Sequence, residues 1–280
     1  MTFGITPQTV ERGTPQPPFL KPETQVINFT GNVTVTRGVG ERANVITVRG
    51  PDAPTDPLGD YVTLLLHAEG NDGQQVFYDD SQYHWAYTKT STVFNSTTQK
   101  VAGTSSIKAN AISDYIQYVD NDLFDCSGDF TVECFVLVTA TSPNDQMLLS
   151  KFGISPNSGW FFQMLTPSPN QANIGFQIAS ASGLNSVTTT GLIPLTFNAW
   201  HHVAVTRSGN VYRTFLDGVK KNEQTHAEVI FTNTTPIRVC GDVFYSINTF
   251  RGYVDEVRFT SGIARYVADF TVPVVPFPNP

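Results

Sequence analysis

The chain has 280 residues, of which 15% are charged, and a formal net charge of −7. Globular domains usually carry about a quarter charged residues; here the polar weight falls instead on Thr, Asn, Ser and Gly, a composition that suits turn-rich β structure. No run approaches the ~20 apolar residues of a membrane helix, and no Lys/Arg stripe offers phosphate neutralisation, so neither membrane insertion nor nucleic-acid binding is expected.

Residues 1–22 form a Pro-rich leader with Pro7, Pro15, Pro17, Pro18 and Pro22, expected to be extended because proline fixes φ and removes a donor. Its first residues lack a basic start followed by an apolar stretch, so assembly in a cytoplasm is expected. Residues 23–50 hold short β-like runs at Val26–Phe29, Val33–Thr36 and Asn44–Val48. Such a piece is too small to build its own core; it reads either as a β extension of the following domain or as a docking segment. Residues 51–59, with Pro51, Pro54 and Pro57, form a stiff linker. Through residue 57, five basic and five acidic residues balance, so the whole negative charge lies beyond.

Residues 60–280 read as one all-β domain. Strands are predicted at Val62–His67, Ser106–Lys108, Tyr115–Tyr118, Phe130–Val138, Met147–Phe152, Gly159–Leu165, Ala172–Ile178, Ser186–Thr190, His201–Arg207, Val211–Leu216, Ile237–Val239 and Gly252–Phe259. Many short strands between turn residues, with no 3.6 period, predict a sandwich or barrel. Phe130–Val138 is apolar on both faces apart from Thr131 and Glu133, which marks a central strand. Alternation puts Trp160 and Phe162 on one face and Phe161 on the other. Asn198–Gly218 reads as a hairpin turning at Ser208-Gly209-Asn210, with Asp217-Gly218 suited to the positive φ of a second tight turn. The three cysteines, Cys126, Cys134 and Cys240, are odd in number and lack zinc spacing; Cys134 and Cys240, within apolar strand patterns, are expected as buried small hydrophobes.

Five blocks in order resemble the laminin G-like (concanavalin A-like) superfamily, in particular copies on bacteriophage tail and virion proteins. They are Leu64-Leu-Leu-His-Ala-Glu-Gly-Asn-Asp-Gly73 with Phe77-Tyr-Asp-Asp-Ser81; Val101-Ala-Gly-Thr-Ser-Ser-Ile107 with Asp114-Tyr-Ile116; Asp129-Phe-Thr-Val-Glu-Cys-Phe135; the 198–218 hairpin; and Gly252-Tyr-Val-Asp-Glu-Val-Arg-Phe259 with Gly262-Ile-Ala-Arg-Tyr266 and the ending Phe270-Thr-Val-Pro-Val-Val-Pro-Phe-Pro278. The resemblance implies a two-sheet antiparallel jelly-roll β-sandwich with a small N-terminal β extension.

Some members of that fold cleave glycans, which takes two carboxylates facing one sugar. Here Glu133 is followed by Cys134 and Phe135, with no second acid at i+2. Asp255 and Glu256 are adjacent and, on a regular strand, point to opposite faces. The usual catalytic pair is therefore missing. His201 and His202 diverge for the same reason and read as strand histidines bonding neighbours or facing solvent. In related domains an early aspartate and one on the last strand meet around a structural Ca²⁺; by position these are Asp80 and Asp255. Tyr83, Trp85, Trp160 and Tyr245 lie in or near turns and are the aromatic candidates for stacking on a glycan.

The expectation is a noncatalytic phage virion protein, a tail fibre or other fibre-like appendage. Its sandwich would attach to a host-surface glycan or protein, and residues 1–57 would hold it to other virion proteins of tail, baseplate or capsid. A homotrimer would let an undersized β segment complete its core by symmetry. The alternatives are a structural decoration or connector protein without receptor binding and, behind it, a glycan hydrolase acting through Glu133.

Overall fold

In the computed structural model the described residues are 34–37, 46–49 and 56–280, without 110, 112, 155, 244–249 and 274–275. The chain divides into two units, Met1–Ala53 and Pro54–Pro280. In the first, β1 (Thr34–Arg37) and β2 (Ile46–Arg49) pair antiparallel, Val35 opposite Val48. The Val26–Phe29 run lies outside the described residues.

The second unit carries β3 (Val62–Leu66), β4 (Tyr87–Lys89), β5 (Phe94–Ser96), β6 (Ser106–Ala109), β7 (Ile116–Tyr118), β8 (Phe130–Val138), β9 (Ser142–Ile154), β10 (Asn157–Thr166), β11 (Gln171–Ser180), β12 (Gly183–Thr189), β13 (Ile193–Pro194), β14 (Trp200–Ser208), β15 (Val211–Leu216), β16 (Val219–Thr225), β17 (Ile237–Val239) and β18 (Gly252–Ser261). Helix is confined to two short 3₁₀ turns among the described residues, so no helix there is long and apolar enough to cross a membrane. The strands form two eight-stranded antiparallel sheets. One runs β16-β15-β14-β8-β18-β6-β5 with β3 also on β18, and the other β12-β11-β10-β9-β17-β7-β4 with β13 also on β11. This is the expected sandwich. Every strand expected beyond residue 60 is present. Four were missed: β4, β5 and β13, each two or three residues long, and β16, whose Val219–Thr225 sequence is polar and mostly exposed at the sheet edge.

Alternation decides what each sheet buries. In the hairpin β14–β15, Val203 and Val205 enter the core between the sheets, while His202, Ala204 and Thr206 face away. The turns use Gly209 at φ 59°, Asp217 at 52° and Gly218 at 75°, as that stretch predicts. Gly218 also passes against the tail, where an added Cβ would lie 2.1 Å from the Phe270 carbonyl oxygen. β8 lies between β14 and β18 and is buried at all nine positions. Val132, Cys134 and Val136 point inward with Trp160 and Phe162 of β10; Phe161 faces out with Met147, Phe152 and Ala179. Aromatic rings bridge the sheets, Phe130 meeting Phe176 at 5.1 Å and Trp160 meeting Phe259 at 5.6 Å, while Trp160 also stacks on Phe176 of its own sheet at 5.4 Å. All three cysteines are free and buried.

The outer face of the first sheet is closed by the end of the chain. Tyr266 and Phe270 stack at 3.5 Å, and Phe270 donates its N–H to the Gly218 carbonyl in the β15–β16 turn. Pro276 and Pro278 hold the final segment extended, and between them Phe277 donates its N–H to Glu256 Oε2 at 2.7 Å. The Phe277 ring covers the Arg258 guanidinium at 3.8 Å and packs on Phe135 at 6.0 Å. Phe277→Ala removes this cover and opens a cavity, so chemical denaturation should show a loss of roughly 3 kcal/mol. A change within ~0.5 kcal/mol, the ordinary range of surface substitutions, would show that the tail does not hold the sandwich.

Candidate functional site

The two outer faces differ in kind. Beneath the tail, Glu133 projects outward from the centre of β8, fully buried. Its Oε1 accepts from Arg258 Nε at 2.8 Å, and its Oε2 accepts from the Tyr266 hydroxyl at 2.9 Å and from His202 Nε2 at 3.1 Å. Asp56 ties Arg265 through both carboxylate oxygens, at 3.0 and 2.6 Å, and reaches Arg258 at 3.3 Å. Burial works against the Glu133 charge, but Arg258 and then His202 outweigh it and hold the acid at about 2. A carboxylate this tightly satisfied and covered is structural, and it offers neither a proton nor access to a sugar. His201 bonds Asp217 at 2.7 Å and the Thr196 carbonyl at 3.0 Å, so the two histidines bond different neighbours, as expected.

Asp255 and Glu256 correct the sequence reading. They do not point to opposite faces, because a bulge between Asp255 and Arg258 puts Glu256 at φ 51° and brings both acids to the outer side. Glu256 pairs with His67 at 2.9 Å. The Asp255 carboxylate accepts from the backbone N–H groups of Glu256, Val101 and Ala102 at 2.9, 2.8 and 3.4 Å. Burial first, and the nearby Glu256 charge, push Asp255 up to about 8. Asp80 acts on the same corner through its charge on His67. Ca²⁺ takes about 6–8 oxygens; the donors facing Asp255 are N–H groups, and no cluster of three or more His, Cys, Asp or Glu side chains suited to a metal ion occurs among the described residues. A structural ion at Asp80 and Asp255 rests on the resemblance alone. The early aspartate that organises the turn is Asp79, the neighbour of the Asp80 singled out by position: it accepts from Leu65 N, Ser81 N and Trp85 N at 2.9–3.0 Å and from Ser81 Oγ at 2.7 Å.

The aromatic candidates scatter. Trp160 is fully buried and donates its Nε1 proton to the Phe124 carbonyl, so it belongs to the core. Tyr83, 38% exposed, stacks on half-buried Trp85 at 5.1 Å, with the Trp85 indole donating to the Thr63 carbonyl. Tyr245 lies outside the described residues.

The second sheet's outer face is apolar and covered around Phe161, and open and mostly polar farther along β10–β12. Three adjacent strands line a recess of about 280 Å³: Gln163 and Leu165 from β10, Asn173, Gly175 and Gln177 from β11, and Ser186 and Thr189 from β12. That is just below the ~300–1,000 Å³ of drug-sized ligand sites. Register builds it, Gln163 and Thr189 flanking Gly175 and Leu165 opposing Asn173. Gly175 leaves the floor open; a Cβ there would make only ordinary contacts, the nearest at 3.4 Å. The Asn173 Oδ1 accepts from Thr189 Oγ1 at 2.5 Å, which leaves its amide protons to be offered. Gln163 is 8% exposed, and its Oε1 is buried without a hydrogen-bond partner among the described residues. Buried acceptors are normally paired, so this one calls for an outside donor. Only the outward polar alternation of Gln163, Asn173, Gln177 and Ser186 hints at the recess in the sequence.

Residues 108–264, more than half of the chain, match the Laminin_G_3 family model, described as the concanavalin A-like lectin/glucanases superfamily. The chain belongs to this family. No curated protein matches it. Solved structures of similar fold include the binding domain of Paraclostridial Mosquitocidal Protein 1 (TM-score 0.58, 16% identity, 75% of this chain and 50% of that one). Domain 4 of AbnA, an extracellular arabinanase of Geobacillus stearothermophilus in complex with arabinotriose, matches with TM-score 0.54 and 16% identity over 72% of this chain and 93% of that one. The botulinum neurotoxin serotype D ligand binding domain in complex with N-acetylneuraminic acid matches with TM-score 0.55 and 16% identity over 75% and 49%. The chain thus spans about half the length of the first of these. At such identities the likeness is one of fold: a lectin-like sandwich.

Two outcomes follow from the closed face. Burial disfavours charge on His67, but Glu256, by bond and charge, and then Asp80 raise the ring from 6.5 to about 9. The stabilisation is complete below 6.5 and is lost as pH rises through about 9, roughly 3 kcal/mol over that window. Denaturation midpoints should fall accordingly, and His67→Gln should flatten the decline; an equally steep variant curve would remove His67 from it. Melting in calcium and in excess chelator should give one midpoint, whereas a fall on chelation would assign an ion to the Asp80–Asp255 corner.

Proposed function

We propose that the chain is a noncatalytic attachment protein of a bacteriophage virion, a tail fibre or similar appendage, and that its sandwich recognises a host-surface saccharide in the β10–β12 recess. The observation that carries the reading is the Gln163 acceptor, buried and without a partner among the described residues, in a recess lined mostly by amides and hydroxyls. Saccharides present dense hydroxyls that donate and accept together, and amide side chains match them on both counts. Support also comes from two relatives by fold that carry arabinotriose and N-acetylneuraminic acid. The phage assignment rests on the resemblance of the five blocks, above all the ending after Gly262. On this reading residues 1–57 dock onto other virion proteins, and a homotrimer completes the small β segment.

Purified protein should bind susceptible host cells and compete with the particle for them. Gly175→Val, which fills the recess floor from a position that tolerates a Cβ, should weaken that binding about tenfold or more, a loss of ~1.4 kcal/mol, and leave the melting temperature in place. Protein that neither binds nor competes would overturn attachment. Undiminished binding by Gly175→Val would move the site off the recess.

A further inference from the structure

We propose that the recess selects uncharged saccharides and discriminates against sugars bearing a carboxylate; this rests on the attachment reading above. Its lining consists of amides, hydroxyls, one leucine and one glycine, with no charged side chain. A carboxylate entering it would lose hydration and meet no cation, and burying an unpaired charge is among the costliest changes a site can impose. Five of the domain's cations are engaged elsewhere. Arg258 and Arg265 are tied to Glu133 and Asp56, Lys151 to Asp120 and Asp125 at 2.9 and 2.7 Å, and Arg213 and Lys220 to Glu223. The net charge of −7, all carried beyond residue 57, repels anions before they arrive.

The groups that remain suit a neutral polyol. Gln163 offers an acceptor with no internal claim on it, and Asn173 offers amide protons while its oxygen is held by Thr189. The Gln177 side chain makes no hydrogen bond to any described residue, so both ends of its amide are free to meet neighbouring hydroxyls that donate and accept in turn. Leu165 supplies one apolar contact for the C–H face of a ring. No aromatic lines the recess, so recognition proceeds by hydrogen bonds and not by stacking.

The test uses the full chain and a panel of neutral oligosaccharides built from glucose, galactose, mannose, arabinose and N-acetylhexosamines, each beside a sialylated or uronate-bearing counterpart. Titrations run at low and at high NaCl. Neutral members should bind, with Kd nearly independent of salt, because no ion pair is formed for salt to screen. Acidic counterparts should bind about tenfold more weakly or worse. Gln163→Ala and Gly175→Val should each weaken the neutral ligands, and Gln177→Arg should shift preference toward the acidic ones in a salt-sensitive way. Acidic sugars that win at the wild-type recess, with affinity falling as salt rises, would overturn the charge selection and leave attachment standing. Neutral ligands unaffected by Gly175→Val would overturn it as well, by placing them outside the recess. If no member of either class binds, the saccharide reading falls and takes this inference with it.

Discussion

The sandwich depends on one buried negative charge. Glu133 sits at the middle of the central strand of its sheet, and its carboxylate is satisfied by Arg258, His202 and Tyr266 from three separate stretches of chain. Those partners meet only when β14, β18 and the segment after Gly262 are all in place. Asp56, just ahead of the first strand of the domain, then balances the two arginines. Replacing such a network with apolar residues is often harmless, whereas removing one partner strands a charge in the interior. The network therefore couples the start of the domain, its central strands and its tail into one closing event, and the Phe277 ring over Arg258 is its cover.

That closure divides the molecule's labour. On the first sheet the outward side chains are spent on holding the chain together: Glu133, Asp255 and Glu256 are all buried and bonded. A fold that elsewhere presents carboxylates to sugars here turns them under a lid. On the second sheet the side chains lining the recess are uncharged and mostly polar, one buried acceptor among them has no partner among the described residues, and glycine opens the floor between them. The proposed contact with a saccharide accordingly falls on β10–β12.

Much of this is legible in the sequence. The hairpin turns, the centrality of Phe130–Val138 and the opposite facing of Trp160 and Phe161 all follow from period-two alternation and the positive φ that Gly and Asp accept. What was not legible required register or irregularity. The bulge that puts Glu256 at φ 51° reverses a facing rule that holds for regular strands, and nothing in Val-Asp-Glu-Val announces it. β16 was missed because an edge strand need bury neither face. Trp160 drew attention as an aromatic near a turn, but it fills the space between the sheets. The recess is assembled by pairing Gln163 with Gly175 and Gly175 with Thr189, and pairing between strands is invisible along one strand.

The blocks that carry the family resemblance and the residues that line the recess are different sets. Arg265, Tyr266, Phe270 and Phe277, from the ending that looks most phage-like, are the groups that seal Glu133. Leu64–Leu66, Asp129–Phe135 and Gly252–Phe259 supply strands of the same sheet, and Asp79 sets the turn after the first of them. A motif maintained by closure reports the fold and says nothing about what the fold holds. Residues 157–189, which form the recess strands, contribute to none of the five blocks. Free of that constraint, those strands can vary without changing the sandwich, and one architecture is accordingly found in a toxin binding domain, an arabinanase module and this chain.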